Sequence, residues 1–231
     1  MVVKAVVFDY GGVLVSYDQV GKFLAELAKQ FEVTDDAFHA KKKVLFDLFL
    51  NSSDLMTGKL SLEEFEANGM VEAVNKIFGT TRTESIGWFQ RFSKPDIFSK
   101  HKIMFDFIAQ LRRNGIKTGL LTNNFWVDKE KKHDCTPVDK ALFDSIVESR
   151  EEGCEKPEWK IYDLSHSRLL KVDPSIKKEE VLFLDDLQLN LDGAEKYGWR
   201  GVLVENTSDP SSTIKKAQEI IEKENGSALK A

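Results

Sequence analysis

Apolar residues along this chain follow two rhythms, and the rhythm changes with position. Positions 3–8 are apolar apart from Lys4, and positions 181–184 repeat such a run, the pattern of strands buried on both faces; positions 116–121, Ile-Lys-Thr-Gly-Leu-Leu, predict a third strand ending in Thr122. Shorter runs at 143–147 and 201–204 predict two further strands. Between the first strand and the rest, from about position 16 to 93, apolar residues instead recur every three or four positions. Val20, Phe23, Leu24, Leu27 and Phe31 share one helical face, and Val44, Leu45, Leu48 and Phe49 share another. Ser61-Leu62-Glu63-Glu64 reads as a capping box opening a helix toward Phe78, and Ile86, Phe89 and Phe92 mark a fourth helix. Pro95 ends the helical stretch. Beyond it, Met104, Phe107, Ile108 and Leu111 form a helical face closed by Asn114-Gly115, Pro157 takes an early helical position, and helices are predicted at 189–197 and 212–222. Residues from about Asn225 onward read as a loose tail.

Strands alternating with helices predict an α/β fold, a Rossmann-like parallel sheet with helices on both faces. The boundaries read as a core of residues 1–15 and 94–231, interrupted by a helical cap of residues 16–93. A chain of 231 residues accommodates one sizeable core and a smaller accessory unit. Its net charge of -5, with both signs mixed along the chain, gives no reason to expect nucleic acid. No apolar run approaches the ~20 residues of a membrane helix, and the first residues enter a strand without a basic leader, so the expected location is cytoplasmic. The two cysteines, Cys135 and Cys154, have no metal or redox spacing and read as reduced structural thiols, with Cys154 two residues from Lys156.

The chemistry lies at strand ends. The first strand delivers Asp9 into Gly11-Gly12, placing a carboxylate at the carboxyl edge of a sheet, where open α/β folds bind ligands; an Asp capping a turn is the plainer alternative. The strand at 181–184 runs into Asp185-Asp186, with Asn190 four residues after the second acid. Adjacent carboxylates repel, and a cation or a ring of hydrogen-bond donors offsets the repulsion; magnesium is the natural candidate cation. Between these acids the strand from Ile116 ends in Thr122-Asn123-Asn124, and the loop before a helix carries Lys156-Pro157-Glu158. Read without context, Thr122 is a strand-end turn residue and Lys156 a solvated charge.

In this order Asp9, Thr122, Lys156 and Asp185-Asp186 resemble the four motifs of the haloacid dehalogenase-like superfamily. The flanking text, Phe8-Asp9-Tyr10-Gly11-Gly12-Val13-Leu14 and Phe183-Leu184-Asp185-Asp186 among it, is similar to the branch holding the phosphatase domain of soluble epoxide hydrolase and the related domain of a large acyl-CoA dehydrogenase. The resemblance implies a four-helix (C1-type) cap and a Mg2+-dependent phosphatase acting on a small phosphorylated substrate through an aspartyl-phosphate. It implies Asp9 as nucleophile, Thr122 and Lys156 as stabilising groups, and Tyr10, Gly11, Thr122, Asn123 and Lys156 around the phosphate. The metal falls to Asp9, the Gly11 carbonyl and Asp186, with Asp185 as neighbour or supporting acid and Asn190 as an orienting group. One departure stands out: such phosphatases usually carry a second Asp two positions after the nucleophile, and here that position is Gly11. Glycine has no proton to give, so the alternatives are a weakly active or non-catalytic binding protein, or, against the Asp185-Asp186 pair, a 2-haloacid dehalogenase whose halide needs no proton. A Gly11→Asp change is expected to speed poor-leaving-group esters if the fold accepts it.

Other residues carry less. Tyr17, Phe46 and Trp88 are pocket or core residues, and Trp126 is placed near ligand. Lys41-Lys42-Lys43 reads as a solvated face. His133, Asp134 and Cys135 match no zinc spacing, nor do His39, His101 and His166. The sequence carries no sign of oligomeric state.

Overall fold

The computed structural model describes residues 2–30, 51–94, 96–134 and 139–230, with isolated positions between 31 and 50. Of the expected helix through Val44 and Phe49, Val44 and Leu48 are described, both helical, and Val44 is exposed; Leu45 and Phe49, along with Phe46, His39, Lys42, Lys43, Pro95 and Cys135, lie outside the described residues. So do the side chain of Leu27 and residue Phe31.

Five strands form one parallel sheet: β1 (Ala5–Phe8), β4 (Lys117–Thr122), β5 (Ser145–Glu148), β6 (Val181–Asp185) and β7 (Arg200–Leu203), in spatial order β5-β4-β1-β6-β7. In register, Ala5 faces Lys117 on one side and Val181 on the other. The chain builds outward from β1 to β5, then returns to the opposite side of β1 for β6 and β7. This reversal opens a crevice at the carboxyl end of β1, the place where such sheets bind ligands.

Alternation along the strands explains the two cores. Val6, Phe8, Leu182 and Leu184 point to one face, where α6 (Lys102–Arg113) and α10 (Ser211–Asn225) cover them with Met104, Phe107, Leu111, Ala217 and Ile221. Ala5, Val7, Val181 and Phe183 point to the other, under α8 (Trp159–Val172) and α9 (Gln188–Tyr197). Both faces are covered, which is why these strands read as unbroken apolar runs. The expected loose tail is not loose. Leu229 packs on the core, Asn225 bonds both the N–H and carbonyl of Val3, and the Lys230 N–H donates to Asn114 Oδ1 at 3.0 Å.

The excursion between β1 and β4 leaves and re-enters through a short antiparallel ribbon of β2 (Val15–Ser16) and β3 (Ser99–Lys100). Between them lie α1 (Asp18–Gln30), α2 (Ser53–Met56), α3 (Leu62–Ala67), α4 (Met70–Phe78) and α5 (Trp88–Phe92). The Ser61 capping box forms as read, with Ser61 Oγ accepting from the Glu64 N–H and Glu64 Oε2 accepting from the Ser61 N–H at 2.9 Å. The single helix expected from there toward Phe78 is two, because the chain turns through Asn68 and a left-handed Gly69. The helix α2 has no sequence counterpart above; at one turn it is too short to show a period.

This helical layer has its own apolar cluster, including Leu24, Leu55, Met56, Leu62, Trp88 and Phe92, and Phe125 and Val127 reach into it from the loop after β4. Backbone bonds from Leu62 to the Trp126 carbonyl and from Glu63 to that of Val127 fasten the joint at 2.8 and 3.1 Å. Ser149 Oγ also donates to the Met56 carbonyl. Among the described residues, no helix is long and apolar enough to cross a membrane.

Candidate active site

Four segments meet at the carboxyl edge of the sheet. Asp9 directly follows β1, with its N–H donating to the Leu184 carbonyl at 2.9 Å. Thr122 ends β4, Asp185 ends β6 with Asp186 next, and Lys156 sits in the loop between α7 (Ser149–Glu152) and α8. Lys156 lies almost wholly buried between two acids, its Nζ 2.9 Å from Asp9 Oδ1 and 2.7 Å from Asp185 Oδ2. Its backbone is pinned by Asn123, whose amide accepts from the Lys156 N–H at 2.8 Å and donates to the Lys156 carbonyl at 3.0 Å. A buried ammonium held between two carboxylates is a placed charge rather than a solvated one.

The paired acids have different surroundings. Asp185 is fully buried and engaged at both oxygens, Oδ2 by Lys156 and Oδ1 by the Leu187 N–H and Asn190 Nδ2, each at 2.9 Å. Asp186 is only partly buried and faces the cavity. Asp9, Asp185 and Asp186 each offer one oxygen, and the three oxygens lie within 4.8 Å of one another, a spacing that a metal ion can bridge.

Crowding three acids around one lysine perturbs their titration. Burial raises the Asp9 carboxyl to about 6 against the pull of Lys156, with Asp185 adding to the rise. Burial raises Asp186 further, to about 8, helped by Asp9 and Asp185 and opposed by Lys156. Burial would lower Lys156, but Asp185 and Asp9 outweigh it and hold the ammonium above its ordinary range. Neighbouring carboxylates driven above their usual range by burial and mutual repulsion are what a binding site for a cation or an anion-bearing substrate produces.

The glycine pair has a steric reason to be here. A Cβ on Gly11 would lie 2.3 Å from Tyr17 Oη, and one on Gly12, at φ +70°, would lie 2.3 Å from Asp186 Oδ2. Any side chain at these positions displaces a polar group from the site, so the condition attached to Gly11→Asp, that the fold accept it, requires Tyr17 to move.

A cavity of about 290 Å³ opens above these groups. Its floor is Asp9, Gly11, Thr122, Asn123, Lys156, Asp186 and Asn190, and its walls are apolar, among them Val20, Met56, Trp88, Phe92 and Phe98. Tyr17 and Trp88 line it. Trp126 does not: its ring lies under Arg150, 4.3 Å from the guanidinium carbon, and its neighbour Phe125 takes the wall position. Phe92 read as a helix-face residue rather than a wall residue, and Phe98 and Met56 carried no signal in the sequence. Cys154 is buried below the site and does not line the cavity. His133 pairs with Asp128 at 3.2 Å, Asp134 with Arg150 at 2.7 Å, and His101 lies 2.9 Å from the Thr207 carbonyl. His166 sits in an aromatic cluster with Tyr197 and Trp199.

Comparison with known proteins adds the lineage. The haloacid dehalogenase-like hydrolase family matches residues 3–198. The chain belongs to that family. Among curated relatives, acyl-CoA dehydrogenase family member 10 of Mus musculus is 27% identical over 94% of this chain and 19% of its own length. Bifunctional epoxide hydrolase 2 of Mus musculus is 26% identical over 94% of this chain and 39% of its own length. The chain thus spans less than half the length of these relatives. Solved structures share the fold. A predicted HAD-like family hydrolase of Porphyromonas gingivalis superposes with a TM-score of 0.59 at 22% identity, covering 94% of this chain and 98% of its own. A HAD family enzyme of Bacteroides thetaiotaomicron, in complex with magnesium and inorganic phosphate, gives 0.55 at 20% identity over 91% and 98%. L-2-haloacid dehalogenase of Xanthobacter autotrophicus, with chloropropionic acid covalently bound, gives 0.55 at 18% identity over 87% and 77%. The four segments of this HAD-like hydrolase that meet at the sheet edge, three at strand ends and the Lys156 loop, are the ones its sequence order singled out.

Proposed function

We propose that this HAD-like hydrolase is a magnesium-dependent phosphatase of small phosphate monoesters. The observation that carries the reading is Lys156 held between Asp9 and Asp185 beside a third acid, Asp186, on the floor of a cavity of about 290 Å³. A dehalogenase expelling halide has no use for a cluster of three acids, whereas phosphoryl transfer uses positioned cations and an ionised nucleophile.

The donor set suits magnesium: hard carboxylate oxygens, close together, with net negative charge left after Lys156 is counted. Asp186, raised to about 8, carries a proton where a cation would sit. Asp9, Asp186 and the Gly11 carbonyl are the residues that would hold the ion. Asp185, with both oxygens already engaged, keeps Lys156 and Asn190 in place. When bound, the ion supplies positive charge against the oxygens of the phosphoryl group.

Asp9 then attacks phosphorus in line, and the ester oxygen departs on the far side, toward the cavity walls. The aspartyl-phosphate so formed is hydrolysed by water. Lys156 neutralises the oxygens that gain charge and holds the Asp9 carboxylate in its attacking position. The Thr122 hydroxyl and the N–H groups of Tyr10, Gly11 and Asn123 receive the remaining phosphoryl oxygens. The test is hydrolysis of p-nitrophenyl phosphate by the purified protein with magnesium and with EDTA, alongside Asp9→Asn. Loss of turnover in EDTA and in the variant supports the reading. Metal-independent turnover that survives the substitution refutes it, and halide release from a 2-haloacid transfers the assignment to dehalogenation.

A further inference from the structure

We propose that Tyr17 is the proton donor to the departing ester oxygen and, in the second half of the reaction, the base that takes a proton from water. This rests on the phosphatase reading above.

An alkyl leaving group departs as an alkoxide unless it is given a proton, and the floor of this cavity has little to give. Lys156 is clamped by Asp9 and Asp185 and sits on the side of the nucleophile, opposite the leaving group. Asn123 is spent in both directions on the Lys156 backbone, and Asn190 donates to Asp185. The Thr122 hydroxyl, 3.3 Å from the Asn123 carbonyl, belongs to a weak acid at the strand end.

Tyr17 differs in chemistry and in place. It follows the β2 crossing, at the mouth of the helical layer, and its phenol lines the same cavity as Asp9 and Asp186. Its Oη stands 2.3 Å from where a Cβ on Gly11 would be, so the hydroxyl fills the space that a side chain two residues after the nucleophile would enter. The ring is steadied edge-on by Phe98, at a centroid distance of 6.5 Å. Phenols are far stronger acids than alkanols and serve as general acids. Gly11 and Tyr17 therefore form one device: the glycine makes room for a hydroxyl brought in from the neighbouring helix start.

The balance is simple. As the Asp9 oxygen bonds to phosphorus, the bond from phosphorus to the ester oxygen breaks, and that oxygen takes the Tyr17 proton, leaving tyrosinate and an alcohol. Water then attacks the aspartyl-phosphate, its proton returns to the tyrosinate, and Asp9 leaves as carboxylate with inorganic phosphate released.

The experiment compares kcat/KM for p-nitrophenyl phosphate and n-butyl phosphate in the wild type and Tyr17→Phe. This ratio stops at leaving-group departure and is blind to slow aspartyl-phosphate hydrolysis. The expected result is a loss of ~100 to 10,000-fold for the butyl ester, the usual worth of a general acid. Loss for the nitrophenyl ester, whose leaving group needs no proton, should stay within about threefold. The basic limb of the pH profile with butyl phosphate should also vanish in the variant. Equal losses on both esters, or none on either, overturn the role of Tyr17 while the phosphatase reading stands. A wild type inactive on both esters overturns the two together. Normal nitrophenyl turnover in Tyr17→Phe also shows that the variant is folded.

Discussion

Replacing Asp186 by Asn should make the metal-free protein more stable at neutral pH while removing its response to magnesium. Folded, Asp186 titrates at about 8; unfolded, it returns to the ordinary value of 3.8. Between these values the folded chain keeps a proton that the unfolded chain releases, so the contribution of Asp186 is fully present below pH 3.8 and is lost as pH rises through the window. Each tenfold change in proton affinity is worth about 1.4 kcal/mol, which gives about 4 kcal/mol of lost stability by pH 7. Asp186 is partly open to cavity water, which screens it, so roughly half of that, about 2 kcal/mol, is the expected measurement. Asp9, raised to about 6, acts in the same direction, and the two titrate as a pair, so their contributions do not simply add. Glu148, raised by burial, shares this sign, while His166, lowered by burial, has the opposite one. Both are common to wild type and variant and cancel in the difference. The assay is urea unfolding at pH 5, 6, 7 and 8 in EDTA, repeated in excess magnesium. Wild type should lose midpoint steadily from pH 5 to 8 in EDTA and regain it with magnesium, by about 2.7 kcal/mol at a hundredfold excess over Kd. The variant should keep only the shallower pH dependence that Asp9, Glu148 and His166 leave, and should be indifferent to the ion. Parallel pH profiles for the two proteins in EDTA would refute the claim that repulsion among the acids sets the stability of this site.

Two further outcomes follow from the geometry. Lys156→Met leaves Asp9 and Asp185 buried without their shared partner, and should cost about 3–5 kcal/mol in urea unfolding as well as all turnover. Glu66→Ala removes the carboxylate that accepts from the Gly87 N–H at 2.6 Å, the Phe89 N–H at 2.7 Å and the Ser85 hydroxyl; a loss of about 2–3 kcal/mol and faster proteolysis between residues 79 and 87 are expected, with kcat/KM for p-nitrophenyl phosphate altered through the wall residue Trp88.

The sheet was legible because its strands are buried on both faces, which leaves short apolar runs rich in Val and Phe that end at turn residues. The acids at its edge were legible for a related reason: a charge directly after such a run has only the sheet's rim to occupy. The order of Asp9, Thr122, Lys156 and Asp185 along the chain then told which rims converge. What stayed hidden was lateral. Nothing in the text around Trp126 says that its ring lies under Arg150 while Phe125 turns inward, because adjacent residues of a loop differ only in backbone direction. The break at Gly69 was likewise concealed, since apolar spacing continues through it from Leu62 to Phe78 in near-helical phase. The tail looked loose for want of a period, yet Asn225 is held by Val3 at the other end of the sequence and Leu229 packs on the core.

The position of Tyr17 follows from the same constraints that place the acids. Asp9 must lie at the end of β1 and Asp186 beside it, and the chain after Asp9 has to turn back within a few residues to reach the β2 crossing. Gly12 N–H donates to the Val15 carbonyl at 2.8 Å, and the Leu14 and Val15 N–H groups both donate to the Tyr10 carbonyl, closing that turn tightly. A turn so short brings residue 17 back over residue 11, and only a residue without a side chain at 11 lets a phenol enter. Absence of an acid at position 11 and presence of a hydroxyl above it are thus one structural fact. Restoring an acid there by Gly11→Asp should therefore damage the site unless Tyr17 is shortened as well. Tyr17→Ala combined with Gly11→Asp is the pair in which butyl phosphate turnover should exceed that of either single variant, and a double variant no better than Gly11→Asp alone would show that the two positions do not compete for the same space.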